Sequence, residues 1–164
     1  MKKKIGFSLL VLIMVFAFAV YHFQGIGHNM VMEDCRNVSY ECELGKISFE
    51  LPGDWKYSVS EYDEKEGTFG ISFWPKGEKE GKFLISYVDM FGVCGTGLDQ
   101  KEVRFDNGKK ARVGTYDNHE YWDFIHFTDG YEHYVVTVDG EMSWQKEYDD
   151  QVMNILNTLE LGDK

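Results

Sequence analysis

Hydrophobic and polar positions alternate along most of the chain. Within residues 46–51, Ile47, Phe49 and Leu51 alternate with Lys46, Ser48 and Glu50, the pattern of a half-buried strand. Leu51-Pro52-Gly53-Asp54 ends it as a turn, with proline presetting φ at the second position and glycine accepting a positive φ at the third. Trp55 follows and is expected to close the rim of the sheet. Residues 56–62 and 68–74 read as the next two strands, and Pro75 stops the second. Residues 76–82, KGEKEGK, form a polar connection. Residues 83–90 are apolar on both faces, as expected of a central strand covered on each side.

Two hairpins come next. In the first, over 101–116, a two-residue loop would mix apolar and charged side chains on both faces. A three-residue loop at Asp106-Asn107-Gly108, with Gly108 as the bulge, instead sets Val103 opposite Ala111 with Phe105 on the same face. Glu102 then faces Arg112 on the wet side, and Arg104 falls opposite Lys110. The face pattern favours the bulged loop. The second hairpin, over 121–139 around Asp129-Gly130, has no polar face, because Phe124, Ile125, Phe127, Tyr134, Val135 and Val136 occupy both sides. Both sides are expected to be covered, and the pattern leaves the register open.

A helix closes the chain, with Ser143 as its expected cap. Trp144, Tyr148, Val152, Ile155, Leu156 and Leu159 fall on one stripe at spacings of three and four. Asp149, Asp150, Asn154 and Asn157 take the opposite side, and Gly162 follows the end. An amphipathic helix after a run of antiparallel strands makes an α+β domain, with the stripe buried against the sheet. The expected organisation is a signal or anchor segment at 1–24, a spacer at 25–45, and the α+β domain at 46–164.

The opening ISFELPGDW, the glycine-punctuated hairpins, the strand YEHYVVTV and the closing ILNTLEL together resemble PsbP-like domains over about residues 46–161. The resemblance implies an antiparallel sheet flanked by helices. It also implies a non-catalytic accessory or binding role outside the cytoplasmic membrane or in the thylakoid lumen. It carries over no functional residue, and 76–82 is too short for the middle helix of larger members.

Charge sharpens the picture at the N-terminus. Lys2, Lys3 and Lys4 precede an uncharged run, residues 5–20, the head and apolar core of a secretion signal that places the rest outside the cytoplasm. Ala17-Phe18-Ala19 offers cleavage after Ala19. If Tyr21 and His22 count as interface residues, the apolar stretch reaches Phe23, close to the ~20 residues that span a bilayer, which favours a retained anchor over 5–23. Of the 17 basic residues, 14 lie beyond these lysines against 28 acidic ones, a formal charge of −14 for the outer part. Such a surface repels nucleic acid and anionic lipid and keeps the domain soluble. The expected setting is a bacterial cell envelope. The expected partner is an envelope protein or a small ligand, with no nucleic acid and no cofactor.

Four groups of residues could carry chemistry. Cys35 and Cys42, with six residues between them in an oxidising compartment, are candidates for a disulfide, with Cys42–Cys94 as the rival pairing. Cys94 lies in GVCGTG, where it reads as a small apolar residue in a tight connection. As a nucleophile it would need a histidine partner, which defines a thiol-dependent enzyme as the alternative function. If Asp129-Gly130 makes a two-residue turn, His126 lies opposite His133 and the pair could share Zn²⁺ or Cu²⁺; a three-residue loop puts them on opposite faces. Finally, 26 aromatic residues include a cluster on the hairpins, where Tyr116, Tyr121, Trp122 and Tyr131 form a possible binding surface beside a largely aromatic core. No catalytic residue is assigned.

Overall fold

The computed structural model describes residues 34–163. The signal or anchor expected at 1–24, and the spacer as far as residue 33, lie outside the described residues. Ten strands and one helix follow in order: β1 (Cys35–Glu41), β2 (Gly45–Pro52), β3 (Trp55–Asp63), β4 (Thr68–Pro75), β5 (Lys82–Tyr87), β6 (Leu98–Arg104), β7 (Lys110–Tyr116), β8 (Phe124–Phe127), β9 (Tyr134–Asp139), α1 (Met142–Asn157) and β10 (Glu160–Asp163). They form a three-stranded sheet, β1-β2-β10, and a seven-stranded sheet, β3-β4-β5-β9-β8-β7-β6, antiparallel at every pairing. The α+β class expected from the pattern is what the chain adopts.

The inner face of the large sheet carries the core. Phe73 and Phe83 stand on it with ring centroids 5.9 Å apart. Phe49 of β2 meets Phe73 at 5.2 Å, joining the small sheet to the large one, and Trp144 of α1 stacks on Phe83 at 4.9 Å. Ile47, Leu51, Ile71, Ile85, Ile125, Val136, Ile155 and Leu156 fill the space between and are fully buried. Trp55 belongs to this interior rather than to a rim: it is buried, and its Nε1 donates to Gln151 Oε1 of α1 at 3.0 Å. The helical stripe is buried as its spacing predicts, with Tyr148 half-buried at the margin.

The first hairpin has the bulged register that its face pattern requires. Val103 pairs with Ala111, Glu102 with Arg112 and Arg104 with Lys110, and Gly108 takes φ +83°. Its loop also grips the helix. Asn107 Nδ2 donates to the carbonyls of Leu156 (3.1 Å) and Leu159 (3.0 Å), and Asp106 N donates to Asn157 Oδ1 (2.9 Å). Thr158 Oγ1 donates to Ile155 O and accepts from Glu50 N, which ties the helix end to β2 as well. Carbonyls at a helix C-terminus lack intrahelical partners, and here the Asn107 amide from a distant loop and the adjacent Thr158 hydroxyl supply them.

Several expectations are corrected. The second half of the spacer is strand β1, so the folded unit begins ahead of residue 46. Gly53 is not among the positive-φ residues; a Cβ there would lie 3.0 Å from Asp34 O, so close approach explains the glycine. β5 ends at Tyr87, Met90 is 85% exposed, and Leu84 and Ser86 are only half-buried, so that strand is fully covered on one face alone. Ser143 lies inside α1; the N-cap is Glu141, with no side-chain cap bond. Gly162 belongs to β10, a short strand too brief for periodicity to reveal.

Candidate functional site

β1 decides the first pairing. Cys35 and Glu41 are the two ends of an extended strand, six steps or about 20 Å apart, and Cys42 follows. A disulfide needs Cα atoms within about 7 Å, so the Cys35–Cys42 bridge does not form. Cys42 and Cys94 carry free thiols, which removes the rival pairing as well.

The Asp129-Gly130 corner has positive φ at both residues, +59° and +94°, as a two-residue hairpin turn would. A second turn follows at once, with Tyr134 N donating to Tyr131 O (2.9 Å), so the loop runs from Thr128 to His133. Gly130 N donates to Glu132 Oε1 (3.2 Å), and this carboxyl is held below its ordinary range by its own amide first and that of Gly130 second. The longer loop moves the register by two residues, and His126 faces Val135 instead of His133. The opposed imidazole pair required for metal sharing is therefore absent. His126 Nε2 donates to Glu132 O (2.7 Å), and His133 Nδ1 donates to Val88 O (3.1 Å) while its ring stacks on Tyr87. No group of three or more metal-ligating side chains converges among the described residues.

Residues 88–97 cross the outer face of the large sheet. Phe91 packs on Phe124 (5.3 Å) and His126 (4.9 Å), and Gly97 O accepts from Asp117 N (3.0 Å). This loop covers the second side of the β8–β9 hairpin, where Phe124 and Val135 are buried. Cys94 rides on the loop and is exposed rather than packed. Among the described residues no imidazole hydrogen-bonds its sulfur. His119, carried by the adjoining 117–123 loop, has its Nδ1 3.1 Å from Asp123 Oδ1.

The aromatic cluster divides. Trp122 is 5% exposed and structural. Its Nε1 donates to Asp149 Oδ1 (2.6 Å) and its carbonyl accepts from Gln145 Nε2 (2.7 Å). Gln145 and Asp149 are one helical turn apart, so α1 clamps the 117–123 loop at two points. Tyr116, Tyr121 and Tyr131 are half-buried. Tyr131 lies under Lys109 Nζ (5.5 Å) and Tyr121 under Lys146 Nζ (5.8 Å).

Beside Tyr121 and Trp122 is an open depression of ≈ 240 Å³, lined by Asp99, Lys101, Val113, Thr115, Glu120, Tyr121, Trp122 and Asp149. It lies on the inner side of β6 and β7, at the open edge of the sheet and the margin of α1, which contributes Asp149. Asp149 is half-buried, and burial pushes its carboxyl up from the ordinary 3.8 while the Trp122 N–H opposes that rise. Of the four aromatics proposed as a surface, Tyr121 and Trp122 contribute to this depression; Tyr116 and Tyr131 do not. Sequence reasoning missed Asp99, Lys101, Glu120 and Asp149. None of the four left a signal: the helical pattern put Asp149 on the polar side, and its half-burial follows from the Trp122 indole that bonds it. No protein-family model, curated protein or solved structure matches the chain.

Proposed function

We propose that this chain is a non-catalytic binding or accessory module of the cell envelope. Its α+β domain, PsbP-like in architecture, is held outside the cytoplasm, tethered or released by the N-terminal segment. The observation that carries this reading is the distribution of the reactive groups. The interior between the two sheets and the helix is filled by apolar and aromatic side chains, whereas Cys94 lies exposed on an outer-face loop. His119, His126 and His133 each have a ring nitrogen engaged elsewhere. A depression of ≈ 240 Å³ is smaller than the roughly 300–1,000 Å³ of typical small-molecule sites, so it suits one side chain or head group.

The test is a photo-crosslinking amino acid in place of Lys101, irradiated in the cells that make the protein. A discrete adduct is expected there and none from the same residue at Lys76, on the polar connection. Replacing Cys94 by Ser should leave the adduct unchanged. Loss of the adduct at Lys101, or its dependence on Cys94, would refute the reading. A C-terminal alkaline phosphatase fusion should be active if the domain is exported.

A further inference from the structure

We propose that the depression between β6, β7 and the 117–123 loop is a seat for an organic cation, an alkylammonium or guanidinium group on an aliphatic stem such as a partner's lysine or arginine side chain. The inference rests on the binding-module reading and specifies its ligand. Three carboxylates, Asp99, Glu120 and Asp149, line the depression with one ammonium, that of Lys101. Asp149 spends one oxygen on the Trp122 indole, and among the described residues no hydrogen bond engages the other. A half-buried carboxylate with an unused oxygen gains from an incoming cation more than a fully solvated one does, since water screens it less.

The rim already holds a cation of this class. Lys146 Nζ lies 3.5 Å from Glu120 Oε1 and 5.8 Å above the Tyr121 ring, combining a carboxylate with an aromatic face. Its ammonium is held above the ordinary range by Glu120 first and Tyr121 second, so this carboxylate and ring favour positive charge at the rim. Val113 and the Tyr121 and Trp122 rings supply apolar wall for a stem. A bare metal ion fits less well, because among the described residues no three carboxylate, imidazole or thiol groups converge on one point. Anions meet the net negative lining and the −14 charge of the outer chain. Lys101 is the one lining cation and opposes the ligand.

The probe is n-butylammonium, titrated into the full chain labelled with ¹⁵N-tryptophan and followed at the Trp122 indole resonance, one of four. A saturable shift in the millimolar range is expected, and butylguanidinium should match it. Neutral n-butanol and sodium chloride at equal ionic strength should give none. Glu120→Gln leaves the Trp122 bond intact and should weaken the midpoint about fivefold, within the range of a single lost charge pair. Lys146→Met frees Glu120 and the Tyr121 face from their rim cation and should tighten it about twofold to threefold, a gain that a purely structural role for Lys146 does not produce. No saturable shift, an equal response to butanol or sodium chloride, or saturation by calcium chloride would overturn the proposal. If a Lys101 crosslink forms while the amine titration is flat, the ligand class fails and the binding-module reading stands; if neither responds, both fail.

Discussion

Across the inner face of the seven-stranded sheet, one row of paired neighbours reads Val59, Ile71, Ile85, Val136, Ile125, Val113 and Lys101. One residue over, the outer face reads Ser58, Ser72, Leu84, Thr137, Phe124, Gly114 and Gln100. The two rows share a backbone and differ in what covers them. The inner row is sealed by α1 and by the three-stranded sheet, which are distant in sequence. The outer row has small polar residues at one end, and toward the other a local cover, the 88–97 loop with Phe91 over Phe124 and His126. Burial follows apolar area, and where cover stops on the inner side, at Val113 and Lys101, the structure leaves a depression. The candidate site is thus a margin of the core.

The largest test of this contrast is a matched pair of truncations in β5. Phe83→Ala on the inner face should cost about 3–5 kcal/mol, by transfer and cavity effects together. Its outer neighbour Leu84→Ala, half-buried, should cost under about 1.5 kcal/mol. Urea unfolding reads both, and equal losses would break the asymmetry. Next is Gly114→Ala, because a Cβ there would lie 2.0 Å from the Phe124 ring, against which the glycine is packed. It should cost about 1–3 kcal/mol, and Phe124→Leu in the same chain should recover part of that. An additive double mutant would show that the outer cover is loose.

Asn107→Ala removes both bonds to the helix C-terminus and should lower stability by about 1–2 kcal/mol, with the loss visible as faster amide exchange in the last turn of α1. Unchanged exchange would mean that the stripe alone holds the helix. The smallest effect concerns Asp149→Asn, which keeps an acceptor for the Trp122 indole. Burial raises the folded carboxyl above its unfolded value, so the stability it contributes is present below the unfolded pKa and is lost as pH rises through the folded pKa. The variant should therefore melt slightly higher than the parent at pH 7, by well under about 1 kcal/mol because the group is half exposed. The gap should close on acidification below the ordinary carboxylate value of 3.8. A variant less stable at pH 7 would show that the charged bond outweighs its desolvation.

The two hairpins show what makes a register legible. In β6–β7, Glu102, Arg104 and Arg112 must face water while Val103, Phe105 and Ala111 need cover, so a slip of one residue exposes apolar side chains. That penalty is visible in residue order, and the bulged register follows. In β8–β9 both faces are buried, so no slip is penalised by exposure. The turn at Tyr131–Tyr134 then settled the pairing, and it separated His126 from the position opposite His133. Cys35 and Cys42 failed for a related reason: closeness in sequence suggested a bridge, but Val38 and Tyr40 pack on the core and hold the intervening residues extended. The depression was the least legible feature, because its walls come from β6, β7, a loop and a helix that no local pattern connects.

Periodicity by itself determined the antiparallel α+β class, most of the strands, the first hairpin's register and the buried stripe of the last helix, because each expresses which side chains avoid water. Tertiary structure alone decided that Asn107 satisfies carbonyls at a helix end some fifty residues away and that the Trp122 indole binds Asp149. It also decided that Tyr134 bridges the sheets, its hydroxyl accepting from Lys46 N and donating to Gly162 O. Such bonds form between groups that chain folding brings together, and a polar residue looks the same in the sequence whether its partner is water or another segment.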